Sequence, residues 1–126
     1  MNEDSKRAVL KEFLPEGEQY IVTIVGHVDK STQENCYIGV TERSVVLAQV
    51  EPKQFNQAIR HEIIPFADIQ SAKTHKNLLG WQDVTITTAE HTYQMVLKDN
   101  TLGTGLDKNL QLQGVKYLCQ RLQEYK

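Results

Sequence analysis

The stretch Ile59-Arg60-His61-Glu62-Ile63-Ile64-Pro65-Phe66-Ala67-Asp68-Ile69 decides the fold. It reads as a strand that stops at a proline and turns a corner. Side chains alternate across a strand, so Ile59, His61 and Ile63 share one face and Arg60, Glu62 and Ile64 the other. Pro65 has no N–H to give a ladder, so pairing weakens or ends there. Asp68 is placed to hold the corner by bonding nearby backbone amides. Ile63, Phe66 and Ile69 are expected to point inward.

Upstream of the corner the chain reads as strands joined by polar turns. A short amphipathic helix over about residues 5–14 opens it, capped by Asp4 or Ser5, with Val9, Leu10, Phe13 and Leu14 at helical spacing. Pro15 and Gly17 end that helix. The first strand, about Gln19 to Val28, is apolar on both faces, the pattern of burial from two sides. Gly26 within it is the residue a bulge or tight bend requires. The loop Asp29 to Asn35 is polar. Strands Cys36–Thr41 and Val45–Val50 follow, then a polar loop from Pro52 through Gln57.

Downstream, a strand near Ser71–Lys76 leads through Asn77-Leu78-Leu79-Gly80 to Val84–Thr87, with Val84 and Ile86 inward. Thr92–Leu97 alternates as well. About seven closely spaced strands over residues 19–97 are the signature of an antiparallel sandwich or small barrel. A helix over about 105–125 ends the chain, with Thr104 and Asp107 at capping-box spacing. It is expected to bury Leu110, Leu118 and Leu122 against the sheet, with Gly114 allowing close approach and Gln111 outside the apolar face. The organisation is mainly β, one domain over 1–126.

Composition excludes several classes. The 126 residues are 40% hydrophobic and 24% charged with a net charge of -2, the balance of an ordinary globular protein. No excess of Lys and Arg points to nucleic acid. Cys36 and Cys119 fit a reducing compartment and form no disulfide framework. The polar start, Met1-Asn2-Glu3-Asp4-Ser5-Lys6-Arg7, is not that of a signal peptide, and no apolar run spans a bilayer. The expected location is the cytoplasm.

Three phrases carry a resemblance. They are Glu16-Gly17-Glu18 before the first strand, Val40-Thr41-Glu42-Arg43-Ser44-Val45-Val46-Leu47 at the second hairpin, and Ile64-Pro65-Phe66-Ala67-Asp68-Ile69 followed by Lys73-Thr74-His75-Lys76. Their order and spacing, over nearly the whole chain, resemble the bacterial PH-like domains of the pleckstrin-homology superfold. The resemblance implies a curved seven-strand barrel capped by the C-terminal helix, and a non-catalytic role. The eukaryotic phosphoinositide site does not carry over. Its basic loop corresponds here to Lys30 alone, offset by Asp29 and Glu34.

The chemistry-bearing residues form no constellation. His27, His61, His75 and His91 lack the paired spacing of a metal site, so no metal or cofactor is expected. Cys119 lies on the apolar helix face and Cys36 begins a strand beside no activating group. The expected function is an interaction module for a protein partner or for copies of itself. The alternatives are a carrier with an apolar cavity between sheet and helix, or a peripheral membrane-surface binder, which the net charge does not support.

One segment offers a contact surface. Lys73, His75 and Lys76 stand beside Leu78, Leu79 and Trp81 around a turn, where polar residues are the rule. Two readings follow. The apolar residues fold back over an open end of the barrel, or they form an exposed anchor for a partner.

Overall fold

The computed structural model describes residues 1–28, 35–51, 53–98 and 104–125. Residues 29–34 of the loop expected over Asp29 to Asn35, and Pro52, lie outside the described residues, and Asn35 itself opens β2. Helix α1 (Glu3–Glu12) precedes seven strands: β1 (Tyr20–Val28), β2 (Asn35–Thr41), β3 (Ser44–Glu51), β4 (Gln54–Pro65), β5 (Ile69–Lys76), β6 (Gln82–Thr88) and β7 (Thr92–Leu97). Helix α2 (Lys108–Leu122) follows and tightens into a 3-10 turn at Gln123–Tyr125. All strand pairings are antiparallel, in the order β4-β3-β2-β1-β7-β6-β5. The barrel is therefore left open between β4 and β5, the two strands that the corner joins.

Element ends differ from the sequence reading where a cap or a partner strand decides them. Asn2, not Asp4 or Ser5, caps α1, and its side chain and that of Ser5 satisfy each other's backbone N–H. Asp107 caps α2 by accepting from Asn109 N and Leu110 N, so that helix starts at Lys108 rather than 105. Residues 54–57, expected as loop, are the start of β4, whose first residue, Gln54, pairs with Glu51 at the end of β3. Gly26 makes no bulge. It sits in regular register between Cys36 on β2 and Leu97 on β7, and a Cβ there would meet Val96 O at 2.6 Å. The crowded strand crossing is what requires glycine.

The corner turns as expected but is held differently. Phe66 N donates to Arg43 O at 2.8 Å and Ile69 N donates to Phe66 O across the 3-10 turn Phe66–Asp68. Asp68 is exposed, and among the described residues its carboxylate takes no hydrogen bond. Phe66 is buried under the Arg121 guanidinium, 4.0 Å from the ring centre, and stacks on Tyr125. The end of α2 thus clamps the corner. Ile64, not Ile63, is the inward residue, along with Phe66 and Ile69, whereas Ile63 is 40% exposed. Ile64 pairs with the core residue Val45, and Ile63 with Val46 on the opposite face, outside the core that α1 covers.

The sheet is covered on both faces, which explains why β1, β2 and β3 carry continuous apolar runs. One core gathers Ile24, Ile38, Leu47, Ile86 and Leu97 beneath Val115, Leu118 and Leu122 of α2. A second gathers Val25, Tyr37, Val46 and Ala48 beneath Val9 and Leu10 of α1. Leu110 is 39% exposed, contrary to the stripe read from the sequence, and Gln111 is buried in its place. The Gln111 amide hydrogen-bonds β1 where that strand has no β7 partner.

Hydrogen bonds beside an ion pair internal to α1 tie the start of the chain to the segment that leads into α2. Lys6, buried, places its Nζ 2.9 Å from Glu3 Oε1 and 2.9 Å from Thr23 O. Glu3 Oε2 accepts from Asp107 N at 3.1 Å, and Gly105 N donates to Met1 O. Burial lowers the Lys6 pKa, and its bond to Glu3 opposes that shift.

Candidate contact surface

The β5–β6 turn is built on Asn77. Its side-chain oxygen accepts from Leu79 N at 2.9 Å and Trp81 N at 3.1 Å, and its Nδ2 donates to Asp83 at 3.1 Å. Its backbone N donates to Trp81 O and its carbonyl accepts from Gly80 N. Five bonds on one residue make a stiff turn. Gly80 supplies the left-handed φ of 81° that closes it.

This scaffold projects the two leucines outward. Leu78 is fully exposed and Leu79 is 71% exposed. Neither folds back over the open end of the sheet, which removes the lid reading for both. Trp81 lies at the base of the turn, half-buried, with Lys98 Nζ 5.5 Å from its ring centre. Burial lowers the Lys98 pKa. Lys73 and His75 share one face of β5, opposite Thr85 and Asp83, and Lys76 stands on the other face at the strand's end. All three are exposed. The turn therefore exposes Leu78 and Leu79, with Trp81 at its base, while Lys73 and His75 lie on one face of β5 and Lys76 on the other.

Asn77 and Lys98 were missed from the sequence. An Asn three residues before a turn glycine carries a signal for Asn77. Lys98 has none, since it reaches Trp81 only through the β6–β7 register that sets Gln82 opposite Leu97.

The remaining candidates fall elsewhere. Cys36 is fully buried and burial pushes its thiol up to about 12, the reverse of an activated nucleophile. Among the described residues no group of three His, Cys, Asp or Glu is placed to hold a metal ion. The space between sheet and α2 is filled by Val115, Leu118 and Leu122. A groove of about 570 Å³ lies instead at the open side of the barrel, between Glu62–Pro65 and the β6–β7 turn. Tyr93 in it has its pKa raised by burial and then by Glu62 and Glu90. No described helix is long and apolar enough to cross a membrane.

The fold is PH-like. Among solved structures it is similar to the hSac2 domain from human phosphoinositide phosphatase Sac2, with a TM-score of 0.56 and 9% sequence identity. The match covers 90% of this chain and 76% of that one. At that identity the likeness concerns the fold alone. The sequence matches no family and no curated protein.

Proposed function

We propose that this chain is a cytoplasmic, non-catalytic module of the bacterial PH-like kind, which binds a protein partner or another copy through the β5–β6 tip. The observation that carries this reading is the pair Leu78 and Leu79, held out in water by the Asn77 scaffold. Exposed apolar side chains on a rigid turn incur little ordering entropy when a partner covers them. Lys73 and Lys76 beside them favour approach by an acidic surface. The free cysteines and buried Cys36 fit a reducing compartment.

Trp81 is the reporter for the test. Its emission should shift to the blue as the protein self-associates or meets its partner, and Leu79→Asp should remove the shift without changing the far-UV spectrum. A shift seen only with vesicles containing anionic lipid would assign the tip to a membrane surface. Native mass spectrometry checks the carrier alternative, which requires a co-purified apolar molecule. A wild-type tip that stays unshifted with concentrated protein, candidate partners and vesicles overturns the reading.

A further inference from the structure

We propose that the free edge of β4 pairs with the same edge of a second copy, antiparallel and centred on His61. Among the described residues β4 ends the sheet and pairs only with β3, which leaves its other edge open. Which backbone groups face outward follows from the ladder. Phe66 N bonds Arg43 O, and Ser44 pairs with Pro65, so Phe66 is a residue whose backbone faces β3. Backbone direction alternates along a strand. Ile64 and Glu62 thus also face β3, while Pro65, Ile63 and His61 face away from it. The missing N–H of Pro65 falls on the free side, where it breaks no bond within the molecule.

The exposed segment is self-complementary. In Ile59-Arg60-His61-Glu62-Ile63, setting His61 opposite His61 of a second copy sets Arg60 opposite Glu62 and Ile59 opposite Ile63, twice each by symmetry. His61 then exchanges two backbone hydrogen bonds with its counterpart, with N–H and C=O groups that point outward in the single chain. Arg60 and Glu62 are both exposed, and Ile59 and Ile63 are 45% and 40% exposed, so all four side chains are free to meet.

The neighbouring registers are poorer, and centring on Ile63 sets His61 opposite Pro65, which has no N–H to give. Opposed residues must have backbones turned towards each other, so only a residue can lie on the two-fold axis, never the gap between two. Centring on Arg60 opposes two arginines, and centring on Glu62 opposes two glutamates. The edge is also closed at both ends. Pro65 stops it on one side, and on the other Gln49 pairs with Arg60 and Val50 with Ala58, leaving Ile59 as an extra, bulged residue. Bulges and prolines are how edge strands are kept from open-ended association. Here they leave one short window between Ile59 and Pro65, and the Arg60-His61-Glu62 centre of the palindrome lies inside it, with Ile59 at its margin.

This contact is separate from the β5–β6 tip and stands or falls by itself. Sedimentation of the full chain over concentrations up to roughly 1 mM tests it. Wild type should show a concentration-dependent dimer. Arg60→Glu opposes four acidic groups and Glu62→Arg four basic ones, so each should weaken the dimer by about tenfold or more. An equimolar mixture of the two single variants restores both opposite-charge pairs and should form a heterodimer. The double variant Arg60→Glu/Glu62→Arg should self-associate again. Far-UV spectra and thermal midpoints of these surface variants should match wild type. A monomer at every concentration overturns the proposal. So does a dimer that ignores the charge series, and one dissolved by Leu79→Asp would move self-association to the tip.

Discussion

Gln111 occupies the place of a missing strand beside Val25: its Oε1 accepts from Val25 N at 3.0 Å and its Nε2 donates to Val25 O at 2.8 Å. The same Nε2 donates to Lys98 O at 2.9 Å. β7 pairs β1 only from Gly26 onward, so without Gln111 the polar groups of Val25 would be buried unpaired. Gln111→Leu keeps the apolar stem and removes all three bonds. It should destabilise the fold by about 2–4 kcal/mol, since each orphaned buried group costs about 1–3 kcal/mol with partial relaxation. Urea unfolding measures it, and a midpoint equal to wild type would show that water satisfies these groups.

Gly114 reports how close α2 lies to the sheet. A Cβ at this position would stand 2.2 Å from Ile24 Cγ2. Alanine gains about 1 kcal/mol of helix propensity over glycine. Overpacking costs about 1–3 kcal/mol, and here Ile24 is itself fully buried with nowhere to retreat. Gly114→Ala should therefore lower the unfolding midpoint. A rise would mean the helix moves outward freely.

Leu118 and Leu110 separate the core face of α2 from its flank. Leu118 is fully buried, and Leu118→Ala should cost about 2–5 kcal/mol. Leu110 is 39% exposed, so Leu110→Ala should cost less than about 1 kcal/mol. Equal losses would show that both leucines are core positions, as the periodicity alone implies.

What the sequence revealed and concealed follows one rule. Where a strand alternates or a helix repeats against one surface, the pattern was legible, as in Val84 and Ile86 or Leu118 and Leu122. It misled where a backbone vacancy, not a side chain's polarity, decides what is buried. Gln111 is read as surface, yet the gap beside Val25 draws it inward. Lys6 is likewise charged and buried, because Glu3 and Thr23 O surround its ammonium. The neighbours Ile63 and Ile64 carry the same chemistry, and only their partners across β3 tell them apart. The contact residues of the tip were legible because leucines and a tryptophan at a turn violate the usual polarity of turns. Their scaffold at Asn77 rests on bonds that spacing does not display.

Alkaline titration should separate Tyr20 from the other tyrosines. Burial, and then Glu18, push its phenol up to about 12, and its hydroxyl donates to Leu10 O. A folded pKa above the unfolded value of about 10 favours the neutral form. The resulting stability is present below pH about 10 and is lost as pH rises towards about 12. Lys6 runs the other way, since its lowered pKa relieves a burial penalty as pH rises through it. Tyr20→Phe loses the bond to Leu10, worth about 1 kcal/mol, but has no phenol to titrate and so does not suffer the alkaline destabilisation. The stability gap between wild type and Tyr20→Phe should shrink as pH climbs above about 10. Parallel curves would place Tyr20 in ordinary solvent.

The tip admits a test that needs no partner. Leu78 and Leu79 touch water, not the fold, so a Leu78→Ala/Leu79→Ala variant should unfold within about 0.5 kcal/mol of wild type. Trp81 differs, because Lys98 lies over its ring. Lys98→Ala removes both the stem that shields the indole and a cation–π contact of about 0.5–1 kcal/mol. Trp81 emission should then move to the red and iodide quenching should increase, while the leucine variant should leave both unchanged. Asn77→Ala frees the backbone N–H groups of Leu79 and Trp81 and unpins the turn. It should raise amide exchange at Leu79 and Trp81 with little change in global stability, since the turn lies at the sheet's edge. A leucine variant destabilised by about 2 kcal/mol or more would return these side chains to the role of a lid.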